Sequence, residues 1–132
     1  MVSRSKGVSR DLIVNTKKSM TSRLTYPVSV VRVSDPGDEE EVTRHVKEAI
    51  ENIGGMGSIV KNGDMVLIKP NFAGPRPSNT GTTTNLAMIK EVTNEVRDFG
   101  GKPILGEYPA ARDHDPDIVF KVLGIREFAK KA

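Results

Sequence analysis

The sequence contains no cysteine and no tryptophan. Without a thiol there can be no disulfide, no thiolate nucleophile, no cysteine zinc site and no iron–sulfur cluster ligated by this chain's own sulfur. Aromatics are scarce, with four Phe and two Tyr among 132 residues, so the core must be built mainly from Val, Ile and Leu. No uninterrupted apolar run approaches the roughly 18 residues that would span a bilayer. The apolar stretch Leu12-Ile13-Val14 is too short for the core of a secretory signal. These absences lead to a soluble, cytoplasmic protein with no membrane partner as the expectation.

What remains is unevenly distributed. Residues 1–25 carry Arg4, Lys6, Arg10, Lys17, Lys18 and Arg23 against Asp11 alone, whereas residues 26–132 sum to a net charge of −2. The composition reads as a basic, disordered tail at 1–25 followed by a near-neutral folded part at 26–132. A basic tail attracts phosphate backbones non-specifically. With no aromatic stacking platform beside it, specific nucleic-acid recognition is not expected.

The folded part alternates strand and helix signals. Val28 to Val33 is a β-branched run that reads as a strand. Asp35 or Asp38 then offers a helix cap, with Glu39, Glu40 and Glu41 in the first turn, where the helix dipole favours anions. Val42, Val46, Ala49, Ile50 and Ile53 form one apolar stripe, with His45 at its boundary, and Gly54-Gly55 closes the helix. A turn at Lys61-Asn62-Gly63-Asp64 feeds the buried strand Met65–Ile68. A second helix is expected after a cap at Thr84 or Asn85, burying Leu86, Ile89, Val92, Val96 and Phe99 and ending at Gly100-Gly101. A third strand follows from Lys102 to Glu107. Ile118, Val119, Val122 and Leu123 predict a short helix, Gly124 a break, and Ile125, Phe128 and Ala129 another amphipathic turn. The predicted fold is α/β: a three-layer, mostly parallel sheet built from β-α-β-α-β with additional C-terminal helices.

The stretch from Met65 to Thr84 concentrates the candidate chemistry. Parallel strands joined by crossovers bring their carboxyl ends to one edge, where open α/β sheets bind ligands. Lys69, Asn71 and Glu107 would share that edge with Thr82, Thr83 and Thr84 and with the first turn of the second helix. An ammonium, an amide, hydroxyls and a helix N-terminus suit a phosphate or a carboxylate. The ligand-binding candidates are therefore Lys69, Asn71, Thr82, Thr83 and Thr84. Glu107, Asp113 and His114 are the candidates for polar or acid–base work. The run Asp113-His114-Asp115-Pro116-Asp117 has groups able to hold a cation or act as a general base, but capping beside a helix start explains its carboxylates better, and no metal is assigned. Gly54-Gly55-Met56-Gly57 follows a helix rather than a strand, so it reads as a cap and turn rather than a phosphate loop.

The order of these features, above all Val-Leu-Ile-Lys69-Pro70-Asn71, the Gly/Pro loop to Thr83-Thr84 and a strand ending in Gly106-Glu107, resembles the amino-terminal portion of the domain of unknown function 362 family over roughly residues 28 to 130. The layout is more distantly similar to the lactate racemase catalytic protein, whose corresponding segment contacts a nucleotide-derived cofactor. The resemblance implies a prokaryotic protein and a domain that continues beyond the length present here, completed by further chain or by a second chain. Many members are described as iron–sulfur cluster-binding proteins. The absence of cysteine keeps that role from carrying over, and no cofactor is expected in this chain. Two functions follow as expectations: binding of a small anionic ligand at the strand ends, or an accessory role beside an iron–sulfur electron-transfer partner without a cluster of its own. The residues name no reaction.

Overall fold

The computed structural model describes residues 25–108 and 115–131. The expected tail and the candidates Asp113 and His114 lie outside them, apart from Thr25. The first helix, α1 (Glu39–Glu51), begins where Asp38 accepts hydrogen bonds from the Glu40 and Glu41 amides, so Asp38, not Asp35, is the cap. Glu41 reaches back to the Ser34 and Asp35 amides at 2.8 and 2.9 Å, fixing the entry of the chain. These backbone donors hold the Glu41 carboxyl below its ordinary range. Gly54 and Gly55 take positive φ after the helix, as the cap requires.

The strand β1 (Met65–Ile68) leads through a long connection to α2 (Leu86–Asp98), and α2 returns the chain to β2 (Lys102–Leu105). The strands pair in parallel, with Met65 opposite Lys102 and Ile68 opposite Leu105. The expected strand–helix–strand unit is therefore formed, and the chain is α/β. Gly101 lets α2 turn tightly into β2: a Cβ there would lie 2.8 Å from both Val60 Cγ1 and Val96 Cγ1.

The strand expected at Val28–Val33 does not form a ladder. Ser29 accepts a hydrogen bond from Asn52 beyond the end of α1, while Ser34 and Asp35 meet Glu41 near its start, so the segment runs alongside the helix in the opposite direction. Its β-branched residues suit a strand, but ladder formation needs a facing edge, and Val28 and Val30 stay exposed. Among the described residues the sheet has two strands.

Two apolar clusters hold these elements. Met56, Val60 and Val96 are buried with Ile50, Val66, Ile68 and Val92 between the helices and one face of the sheet. Phe72, Ile89, Val119 and Ile125 form the second cluster, which seats the short helices α3 (Pro116–Val122) and α4 (Ile125–Lys131). The Phe72 and Phe120 rings meet edge to face at 6.3 Å. Gly124 separates the two helices at a φ of 67°.

Alternation along each strand sends Val66, Ile68 and Leu105 toward these clusters. It sends Met65, Leu67 and Ile104 to the other face, where all three are exposed. The end positions of the predicted α2 stripe, Leu86 and Phe99, are also exposed, as is Ile53 after α1. In their place α2 buries Glu91, Thr93 and Glu95, the last only 2% exposed. Thr93 bonds back to the Ile89 carbonyl, and Glu95 pairs with Lys47 of α1 at 3.3 Å. Glu95 holds the Lys47 ammonium above its ordinary pKa, first through their hydrogen bond and then through charge.

Candidate functional site

Lys69 directly follows β1 and Glu107 lies two residues beyond β2, so the parallel register brings both to the same edge. Their side chains meet, with Lys69 Nζ 2.6 Å from Glu107 Oε2. The pair is asymmetric. The Glu107 side chain is 9% exposed and its other oxygen accepts the Tyr108 amide, whereas the Lys69 side chain is 67% exposed. Glu107 thus steadies the lysine and offsets its charge, and the ammonium keeps N–H donors directed to solvent.

The connection after Lys69 folds back on itself. Phe72 and Thr83 form an antiparallel bridge, flanked by Thr84 N–H to the Asn71 carbonyl at 2.9 Å and Ala73 N–H to the Thr82 carbonyl at 3.2 Å. Side chains tighten the clasp: the Asn71 amide N–H donates to Thr84 Oγ1, and Asn71 Nδ2 donates to the Thr82 carbonyl. Thr82 and Thr80 share a hydroxyl hydrogen bond of 2.8 Å beside the turn at Ser78–Thr80.

Asn71, Thr82, Thr83 and Thr84 are therefore brought together, with one correction to their expected roles. Asn85 caps α2, accepting from the Ala87 amide, and its own amide group donates to the Pro36 carbonyl. The threonines alternate as in a strand instead of lining a helix end. Thr82 and Thr84 are committed to the clasp. Thr83 lies opposite Phe72, and its hydroxyl is buried with no hydrogen-bond partner among the described residues. Three consecutive threonines carry no alternation of their own, so the sequence held no signal for this arrangement.

Among the described residues the other buried side-chain polar atom without a partner is His45 Nδ1, 3.8 Å from Glu41 Oε1 and too far for a hydrogen bond. The described residues contain no group of three or more His, Asp or Glu able to hold a metal ion. Of the Asp113–Asp117 run, residues 115–117 are described: Asp115 caps α3 by accepting from the Asp117 amide, and the Asp117 carboxylate pairs with Arg126.

A parallel strand–helix–strand unit with a lysine–glutamate pair and a pinned loop at its carboxyl edge defines an α/β protein whose polar groups gather at the strand ends. The chain belongs to the family described as Domain of unknown function (DUF362), which matches residues 66–132. It is also similar to the thylakoid-associated protein sll1697 of Synechocystis sp., with 41% identity over 66 residues that make up 49% of this chain and 20% of that protein. The chain thus spans about a fifth of that relative's length. No solved structure matches. No helix among the described residues is long and apolar enough to cross a membrane.

Proposed function

We propose that the carboxyl edge of the sheet binds a small ligand carrying one carboxylate or phosphate group. Lys69 supplies the charge, the Thr83 hydroxyl and the second Asn71 amide hydrogen supply neutral donors, and Thr82 and Thr84 hold the loop in shape. The observation that carries this reading is the Thr83 hydroxyl, buried and without a hydrogen-bond partner among the described residues, in the loop that follows Lys69. A buried polar group without a partner costs about 1–3 kcal/mol, so its retention calls for a use. The Lys69–Glu107 pairing favours a singly charged ligand, because Glu107 already offsets part of the ammonium field. Any reaction at this edge, with Glu107 as the candidate acid–base group, would draw on residues beyond those described.

Amide-resolved NMR titration with inorganic phosphate and with acetate tests the proposal. Shifts should cluster at residues 69–72 and 82–85 and weaken at least about tenfold in Lys69→Met, a loss of roughly 1.4 kcal/mol. Shifts elsewhere, or an unchanged response in the variant, would sink it.

The exposed Met65, Leu67 and Ile104 support a second part of the proposal. Parallel sheets are ordinarily covered on both faces. We propose that this face receives a further layer, from more of a family domain or from a second chain, and that Val28–Val33 then joins the sheet as its first strand. Hydrogen exchange should show the Val30 to Val33 amides unprotected in the isolated chain and protected in the completed assembly. Protection already present in the isolated chain would count against it. The expected cytoplasmic, prokaryotic setting belongs to the same proposal and is read by cell fractionation.

A further inference from the structure

A concavity lies away from the strand ends, between α2 and α4, and shares no residue with the edge site. It has a volume of about 390 Å³. That is at the small end of the range for ligand pockets. Leu86, Ala87 and Phe128 give it apolar surface, and Lys90, Arg97 and Lys131 bring three cations to the same groove. Positions 86, 90 and 97 fall along one side of α2 by helical spacing, and 128 and 131 along one side of α4. With a rise of 1.5 Å per residue, Leu86 and Arg97 stand roughly 16 Å apart along the α2 axis. The groove is therefore long relative to its volume.

Charge within it is unbalanced. Glu39 is the one acidic side chain of the lining, and it is already paired with Lys90 at 2.5 Å. Arg97 and Lys131 have no carboxylate partner among the described residues. Each alone would be unremarkable, since a cation in the last turn of a helix complements its dipole. Their convergence from two helices on one apolar-floored groove is not explained by capping. A Lys or Arg beside apolar surface keeps its head in water while its stem covers carbon, so the groove offers grease below and positive charge at the rim.

We propose that this groove binds a small amphipathic anion: an extended apolar body laid on Leu86, Ala87 and Phe128, with a carboxylate or phosphate head held by Arg97 and Lys131. A fully polar ligand would leave the apolar floor unused, and an uncharged one would leave the two cations unpaired.

Decanoate is the probe, titrated into the full chain and followed by amide-resolved NMR, with decan-1-ol, acetate and anionic phospholipid vesicles as comparison arms. Saturable shifts at residues 86–97 and 128–131 are expected with decanoate, with decan-1-ol and acetate each at least about tenfold weaker. The double variant Arg97→Gln, Lys131→Gln alters exposed side chains only, so its spectrum elsewhere should be unchanged while decanoate binding falls at least about tenfold. Lys69→Met should leave decanoate binding intact, which separates this site from the strand edge. Equal binding of decan-1-ol, wild-type affinity in the double variant, shifts centred on Met65, Leu67 and Ile104, or sedimentation with vesicles in place of decanoate binding would each overturn the proposal.

Discussion

Replacing Thr83 by Val should make the protein more stable and the strand edge less able to bind. The Thr83 hydroxyl is buried and has no hydrogen-bond partner among the described residues, while its neighbours on the bridge are satisfied. Folding strips water from that hydroxyl without returning a hydrogen bond, at a cost of about 1–3 kcal/mol. Valine has nearly the same shape, suits an extended backbone and places a methyl group against Phe72. Taking the low end, a gain of about 1 kcal/mol corresponds to roughly 4–8 °C in Tm for a domain of 60–100 residues. The matched control is Thr82→Val. Thr82 shares a hydrogen bond with Thr80, so its loss should lower stability by about 0.5–1.5 kcal/mol. Urea melts of the two variants, each repeated with phosphate, give the comparison. Opposite signs, with phosphate stabilising the wild type and not Thr83→Val, are the expected result. A Thr83→Val protein that melts lower than the wild type, or that retains full phosphate stabilisation, would refute the reasoning from the orphaned hydroxyl.

Lys47→Met should lower stability, because it leaves the buried Glu95 carboxylate without its cation; a double-mutant cycle with Glu95→Gln should recover much of the loss. The folded-state pKa of Lys47 is raised, so the pair's contribution is complete below the unfolded value near 10.5 and fades as pH rises through the folded one, which an alkaline melt series would show. Glu41 behaves in the opposite sense: its carboxyl is depressed, so its contribution is complete above about pH 4.5 and disappears as pH falls through the folded pKa, and Glu41→Gln should flatten the acid limb of the stability curve. Gly101→Ala would push a methyl to within 3.0 Å of the Val96 carbonyl oxygen and should cost about 1–3 kcal/mol by calorimetry, whereas a neutral outcome would mean that the α2–β2 turn can open.

Local signals carried much of this architecture. Asp38 and Asn85 mark helix starts by their side-chain oxygens, and the Gly54-Gly55 and Gly100-Gly101 pairs mark helix ends by backbone freedom. The run Met65–Ile68 and the step from Gly101 into Lys102 announced the strand–helix–strand unit for the same reason. Val28–Val33 carries an equally good strand pattern and forms none, because pairing depends on an edge supplied from elsewhere in space. The burial of Glu91 and Glu95 was hidden for a related reason: α2 turns toward α1 by a rotation that its own apolar residues do not fix, and Lys47 meets Glu95 from 48 positions away. At the candidate site the sequence brought Lys69 and Glu107 to one edge. It did not reveal that they bind each other, nor that the threonines belong to a bridge and not to a helix cap. Both depend on how the connection folds back onto Asn71.

The Phe72–Thr83 bridge also has a consequence for dynamics. Without it, the stretch from Lys69 to Asn85 would be a long floppy closure, and a ligand would have to freeze it on arrival. With it, the donors of Asn71 and the threonines are already fixed relative to β1. Association should then be fast and leave the backbone nearly unmoved, with affinity limited by contacts and not by ordering. The Thr84 amide, bonded to the Asn71 carbonyl, is the natural reporter: its hydrogen exchange should be slow in the empty protein and change little when phosphate binds.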